Sequence, residues 1–457
     1  MMLEKLLAEV DSDLPNSIER LFQILRIPSI STDPAYRGSC EEAAEWMTTQ
    51  LAELGFKSSK HATPGHPIVV GRDSGVASRF LFYGHYDVQP VDPLDLWDRD
   101  PFQPVVEEAP GGKAIRGRGS SDDKGQVMTF VEACRAWRKV FGRLPRKVSL
   151  VVEGEEECGS ANVAPFLREH ATELAAELGL ICDTGLFADR TPAIVTMLRG
   201  SLNEEVVILG ADRDLHSGIY GGLAINPIRV LAKIIADLHD DTGRIALEGF
   251  YDGVTDLPQV LAEQWTSLCF DHDEFLGAVG LNTPSGEAGR EPLEAIWSRP
   301  TCDATGISGG YLGDGFKTVL PAKASAKVSF RLVGQQNPEK IRESFRAHVR
   351  NALPADCEAD FISHGAHSAI EMATDHEAFG IARNALTEEW DDPAVFVGCG
   401  GSIPITTMFK EILGMDSMLI GFAKDSDQIH SPNEKYDLDS FRKGIRSWAR
   451  ILYALDS

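Results

Sequence analysis

No apolar run in this chain approaches the roughly 18 residues that a membrane-spanning helix needs, which excludes a helical span. Cysteine occurs at eight positions but never as C-x-x-C. That scatter excludes a knuckle-type structural zinc site. It reads as free thiols in a reducing cytoplasm rather than as a disulfide frame. Positive charge is short: 44 Lys and Arg stand against 69 Asp and Glu, a formal charge of −25. Such a surface repels phosphate backbones and anionic lipid, so neither nucleic acid nor a membrane is expected as partner. Internal repeats and low-complexity tracts are also missing. The first residues mix Glu4, Lys5, Glu9, Asp11 and Asp13 with apolar side chains, the pattern of an amphipathic helix and not of a secretion signal.

What is present fits a globular enzyme. Hydrophobic residues make up 43% and charged residues 25% of 457, and this length exceeds one compact core, so two domains are expected. Residues 1–60 read as largely helical, with apolar stripes at Leu3, Leu6, Leu7, Val10 and at Ile18, Leu21, Phe22, Leu25. Strand composition follows at 67–71 and 80–88, then an irregular, Pro- and Asp-rich stretch at 91–113. A glycine-rich loop spans 115–125, a helix 126–140, and strands 147–152 and 178–182. After Arg199 the texture changes. A strand at 203–209, a helix at 226–238, a long polar irregular segment at 240–315, an alternating strand at 323–333 and a helix at 338–353 read as an α+β domain inserted into an α/β one. Buried-strand composition returns at 394–400 and 417–422, and a helix closes the chain. The expected division is 1–199 and 384–457 for the first domain and 200–383 for the insert.

The chemistry gathers at strand ends. Residues 80–90 read F-L-F-Y-G-H-Y-D-V-Q-P: an apolar strand that delivers His85 and Asp87, two residues apart and so on one face. Two readings fit: a half-buried His–Asp pair, or a metal ligand with the carboxylate that orients it. The run I-R-G-R-G-S-S-D-D-K-G delivers Asp122 and Asp123, and taken alone it also fits a simple turn. The strand at 147–152 runs into E-G-E-E-E-C-G-S. Like charges that close repel unless cations neutralise them or one is protonated. Asp183 ends the next strand, and His430 lies in a late loop. Ligand sites of α/β sheets form at such strand ends. His85, Asp122, Glu157, Asp183 and His430 make a set of two imidazoles and three carboxylates. This set suits zinc, or manganese or cobalt. Five ligands suffice for two divalent ions if one carboxylate bridges. Glu156, beside Glu157, is the candidate general base for hydrolysis.

These motifs, with D-L-H-S-G-I-Y-G-G, F-R-L-V, G-G-S-I-P and H-S-P-N-E-K, resemble in content and order the M20 family of metallopeptidases, closest to its branch of cytosolic nonspecific dipeptidase and carnosinase. The resemblance implies a di-zinc exopeptidase-like catalytic domain, a mixed sheet between helices, with an inserted lid that also forms a homodimer. It implies that His85 and Asp183 hold one metal, Glu157 and His430 the other, and that Asp122 bridges. Asp87 would orient His85, and Glu156 would be the base. The Asp122–Asp123 peptide would be cis. His216 would stabilise the oxyanion in the partner subunit's site. Arg331 would clamp the C-terminal carboxylate of a small peptide substrate, with Thr318, Gly401 and Ser402 as further substrate contacts. The residues alone also fit an exposed strand arginine and a turn histidine for these last roles. The extra acid at Glu155 leaves the glutamate pair ambiguous by one position; anchoring on Gly159 and Ser160 selects Glu156 and Glu157. The same residues would serve a deacylase acting on N-acyl amino acids. A catalytically inactive binding protein on this fold would be expected to lack ligands or base, and here all are present.

Overall fold

The computed structural model describes residues 1–73, 79–145 and 148–456. It divides into two compact units. The first comprises Met1–Thr196, Met372–Val397 and Met408–Ser457; the second comprises Met197–Glu371 and Gly398–Thr407.

At the centre of the first unit lies the strand Phe80–His85, every residue of which is buried. It pairs in parallel with Val148–Glu153 on one side and Leu178–Ile181 on the other. A strand covered on both faces and both edges has no wet side, so its apolar residues run on without alternation. Outward from it the strand order on one side is Val148–Glu153, Ile68–Arg72, Lys57–His61, and on the other Leu178–Ile181, Asp416–Ile420, Ala193–Leu198. Asp416–Ile420 is parallel to its inner neighbour, whereas Ile68–Arg72, Lys57–His61 and Ala193–Leu198 are added antiparallel, so the sheet is mixed.

Helices Met2–Leu25, Lys124–Phe141 and Leu438–Leu455 pack with one another, and the last two meet the central strand through aromatics. Phe82 stacks on Phe130 with ring centroids 3.9 Å apart, and the Trp448 ring meets both edge-on. Gly84 is required beside them: a Cβ there would come within 2.4 Å of Val127 and 2.8 Å of the Asp123 carboxylate.

The second unit is an antiparallel sheet in the order Thr301–Gly309, Lys323–Leu332, Gly200–Leu209, Glu358–His367. The two central strands alternate buried and less buried residues. Their inner face, with Leu202, Val206, Val328 and Phe330, forms one core with Leu231 and Ile234 of helix Pro227–Ala236 and Ile341 and Phe345 of helix Pro338–Ala352. Each of these helices opens on an asparagine cap followed by proline, Asn226 and Asn337 accepting from backbone N–H groups of the first turn.

Two expectations are corrected. Residues 91–113 are not irregular throughout: Val105–Ala109 and Gly112–Arg116 form a hairpin turned at Gly111, whose φ is 89°, and Lys435–Asp437 adds a third strand. Its strands carry too few buried positions to show a period. Residues 240–315 contain helices Gln259–Ser267, His272–Gly277 and Pro292–Trp297 and the strand Thr301–Gly309. These helices are short and each buries at most one side chain, Trp265 or Leu293, so no apolar stripe marks them. The expected strand onset at residue 147 lies outside the described residues.

Truncating the aromatic stack tests this packing. Phe82→Ala should cost about 3–5 kcal/mol, read as a lower urea midpoint of the first unit's unfolding followed by Trp448 fluorescence.

Candidate metal centre

The parallel strands all end at one edge of the first unit's sheet, and the loops beyond that edge carry the polar side chains. His85 is the last residue of its strand and is fully buried. Asp87 follows, also fully buried. Its carboxylate accepts the backbone N–H of Glu156 at 3.3 Å and of Glu157 at 3.0 Å. His85 Nδ1 lies 3.3 Å from Asp87 Oδ1 and 3.2 Å from the Asp87 carbonyl. One aspartate therefore sets the imidazole and the single helical turn Glu156–Cys158 in fixed relation.

The run D-D-K sends three side chains three ways. The Asp122–Asp123 peptide is cis. Asp123 turns back, its Oδ2 accepting the His85 N–H at 3.1 Å. Lys124 donates to the carbonyls of Ile24 and Ile27, at the end of the first helix, at 3.0 and 2.7 Å. Asp122 faces the two imidazoles. Its Oδ1 is 3.2 Å from His85 Nε2 and its Oδ2 is 2.8 Å from His430 Nε2. His430 Nε2 is in turn 3.4 Å from Glu157 Oε2.

Two groups of three result. His85, Asp122 and Asp183 each place a ligand atom within 4.8 Å of the others, and so do Asp122, Glu157 and His430. Asp122 belongs to both. The buried atoms His85 Nε2 and Glu157 Oε1 have no hydrogen-bond partner. An unpaired buried polar atom costs about 1–3 kcal/mol, so one such atom in each group indicates a ligand there. Nitrogen and carboxylate donors in this ratio fit zinc, manganese or cobalt. The residues present could hold two divalent ions with Asp122 shared.

The charges agree. Burial and the neighbouring Asp122 push Asp183 well above the usual carboxylate range. Burial raises Glu156 to about 7; His85 pulls the other way, while Glu157, Asp122 and Asp87 add repulsion. Asp122 itself is pushed up by burial, but the imidazoles of His430 and His85 prevail and hold it low. His430 is raised to about 10 by its hydrogen bonds to Asp122 and Glu157. So many acids drawn into a buried corner create a negative potential that cations relieve.

Glu155 points elsewhere: its carboxylate accepts from the His66 N–H and the Asn162 side chain. Several residues at this centre carried no role in the sequence reading. Gln89 Nε2 donates to Glu157 Oε2 at 2.7 Å. Fully buried Glu434 accepts the Asp122 N–H at 3.1 Å and the Arg118 guanidinium at 2.8 Å. The available signal was position: Gln89 and Glu434 stand in the same short runs as His85 and His430.

The remaining candidates lie in the second unit, in two places. His216 is exposed, in the two-residue strand Leu215–His216 beside Val319–Leu320. Its Nδ1 accepts the Gly218 N–H at 3.0 Å, which leaves the proton of the neutral ring on Nε2. Thr318 is nearby, its carbonyl accepting the Ser217 N–H. Separately, Arg331 Nη1 donates to Ser402 Oγ at 3.3 Å, and Ser402 Oγ donates to the Arg199 carbonyl at 2.5 Å. The Gly401 N–H faces Cys399 Sγ at 3.3 Å.

Known proteins resemble this chain over nearly its whole length. The family model described as peptidase family M20/M25/M40 matches residues 81–454. The Cys-Gly metallodipeptidase dug1 of Schizosaccharomyces pombe is 30% identical over 474 residues, covering 100% of this chain and 99% of that protein. The Beta-Ala-His dipeptidase of Homo sapiens is 27% identical, covering 96% and 87%. Among solved structures, the M20 family metallo-carboxypeptidase Sso-CP2 of Sulfolobus solfataricus superposes with a TM-score of 0.83 at 30% identity, covering 96% and 99%.

The double duty of Asp87 is open to test. Asp87→Ala strips two backbone donors of their acceptor and should lower stability by on the order of 2 kcal/mol. Asp87→Asn keeps one acceptor oxygen and should lose less. Thermal unfolding of the three proteins checks the order.

Proposed function

The chain belongs to peptidase family M20/M25/M40, and we propose that it hydrolyses the amide bond of dipeptides and short peptides. The observation that carries this reading is the pair of three-residue groups sharing Asp122, with a glutamate that has no place in either group beside it. His85 and Asp183 would hold one ion, Glu157 and His430 the other, and Asp122 would bridge. We take the ions to be zinc. When bound, they supply Lewis acidity for the scissile carbonyl and lower the pKa of an attacking water.

The chain's own residues do the rest. Glu156 takes a proton from the water as its oxygen bonds to the carbonyl carbon. As the C–N bond breaks, the Glu156 carboxyl returns that proton to the leaving amine nitrogen. Burial favours this exchange, since it raises the Glu156 carboxyl above the usual carboxylate range and so makes it a better proton acceptor. Asp87 holds His85 in one tautomer and orientation. Arg331 binds the substrate's C-terminal carboxylate, with Ser402 against its guanidinium and Gly401 and Thr318 as further contacts. His216, with Nε2–H as donor, stabilises the oxyanion in the site of a partner subunit.

The last role requires a homodimer, and the second unit serves it as lid and contact surface. That unit exposes large apolar side chains: Leu223 is 94% exposed and Leu312 79%, with Ile219, Ile307 and Phe316 also open. Among the described residues no cysteine is in a disulfide, in keeping with a cytoplasmic protein. No helix of the described residues is long and apolar enough to cross a membrane.

Chelation and reconstitution test the centre. Metal-stripped protein should be inert on a dipeptide panel and recover with two equivalents of Zn²⁺; full activity after verified stripping would sink the proposal. Glu156→Gln should still take up metal yet turn over at least 100-fold more slowly. Mixing inactive His216→Ala with inactive Glu156→Gln subunits should restore partial activity, because one mixed site has both groups intact. Verified heterodimers without recovery would remove His216 from its role in trans.

A further inference from the structure

We propose that Glu434 is a positioning residue: it fixes the distance between Asp122 and His430, and with it the grip on the second ion. The inference rests on the reading of those two residues as ligands.

Glu434 is fully buried and all of its bonds go to one loop. Oε1 accepts the N–H of Ser121 at 2.9 Å and of Asp122 at 3.1 Å. Oε2 accepts the N–H of Gly119 at 2.9 Å and Arg118 Nη1 at 2.8 Å. Four donors thus saturate one carboxylate, and one of them is the backbone of the shared ligand itself. The Gly117 N–H also binds the Glu434 carbonyl at 3.0 Å, so main chain and side chain are both tied to residues 117–122.

Glu434 stands only four residues after His430. Between them Asn433 is pinned as well, its side chain accepting the Asp98 N–H at 2.8 Å and donating to the Leu96 carbonyl at 3.1 Å. Three residues before His430, Asp427 makes a second tie. It is fully buried, and its Oδ2 accepts Ser121 Oγ at 2.8 Å while Lys435 Nζ holds Oδ1 at 2.7 Å. The loop that carries His430 is therefore fastened on both sides to the loop that carries Asp122. His430 has a φ of 61°, a left-handed conformation that a non-glycine residue adopts only where its surroundings impose it.

A neutral amide at 434 keeps the size of the side chain but turns one of its two acceptor edges into a donor. That edge then meets an N–H or a guanidinium, and the loop must move to separate them. A residue that only stabilised the fold would change the unfolding temperature and leave ion release alone. A residue that positions a ligand changes ion release, typically 10–100-fold in affinity for partners of this kind.

The experiment compares full-length wild type, Glu434→Gln and Ser121→Ala, each loaded with Zn²⁺ and dialysed against a graded series of chelator concentrations. Bound zinc is counted by elemental analysis, and circular dichroism reports the fold. Wild type should hold two ions per chain. Glu434→Gln should release one of them at about 10–100-fold lower free chelator. Ser121→Ala, which cuts only the Asp427 tie, should shift release the same way by less. A folded Glu434→Gln that releases zinc as wild type does overturns the inference. If Glu434→Gln does not fold, Ser121→Ala decides, and unchanged release overturns it. Wild type that holds fewer than two ions overturns instead the ligand assignment on which the inference stands.

Discussion

Like charges brought together out of water repel, and this centre is built against that repulsion. Asp122, Glu156, Glu157 and Asp183 converge about the His85 and His430 imidazoles. Such a cluster would be expelled from an ordinary core. It persists because the backbone leaves it no choice: parallel strands end together, and each ending is held by hydrogen bonds that the acids do not make among themselves.

The holding is done from beneath. Phe80–His85 is locked between two parallel neighbours, and its Phe82 ring is locked against two helices. Above that base, three buried carboxylates act as braces rather than as chemistry. Asp87 braces the glutamate turn, Asp123 braces the His85 backbone, and Glu434 braces the Asp122 loop. Asp87 and Glu434 spend both carboxylate oxygens on N–H donors, which is how a buried charge is tolerated.

The two units differ in what they ask of their sequences. The first unit's central strands are buried throughout, so they are short apolar runs whose ends carry the polar residues. The second unit's central strands alternate and its helices open on Asn-Pro caps, signals visible at a distance of a few residues. The segment 240–315 shows neither kind of signal. Its short helices hold by a few isolated contacts, such as Trp265 against Trp297, and a pattern of period 3.6 needs more than one buried position per helix to register.

The amino-acid order by itself determined the candidate ligand types, the strands that deliver them and the alternation that marks the inserted α+β segment, because these depend on neighbours along the chain; it left the glutamate pair ambiguous by one position, and the family resemblance chose Glu156 over Glu155. What only the folded chain decided is which acids work on which. Asp87 reaches residues 156 and 157, and Glu434 reaches residues 119 to 122, across separations of tens to hundreds of positions. A hydrogen bond is specified by distance and angle in space, and no local spacing encodes it.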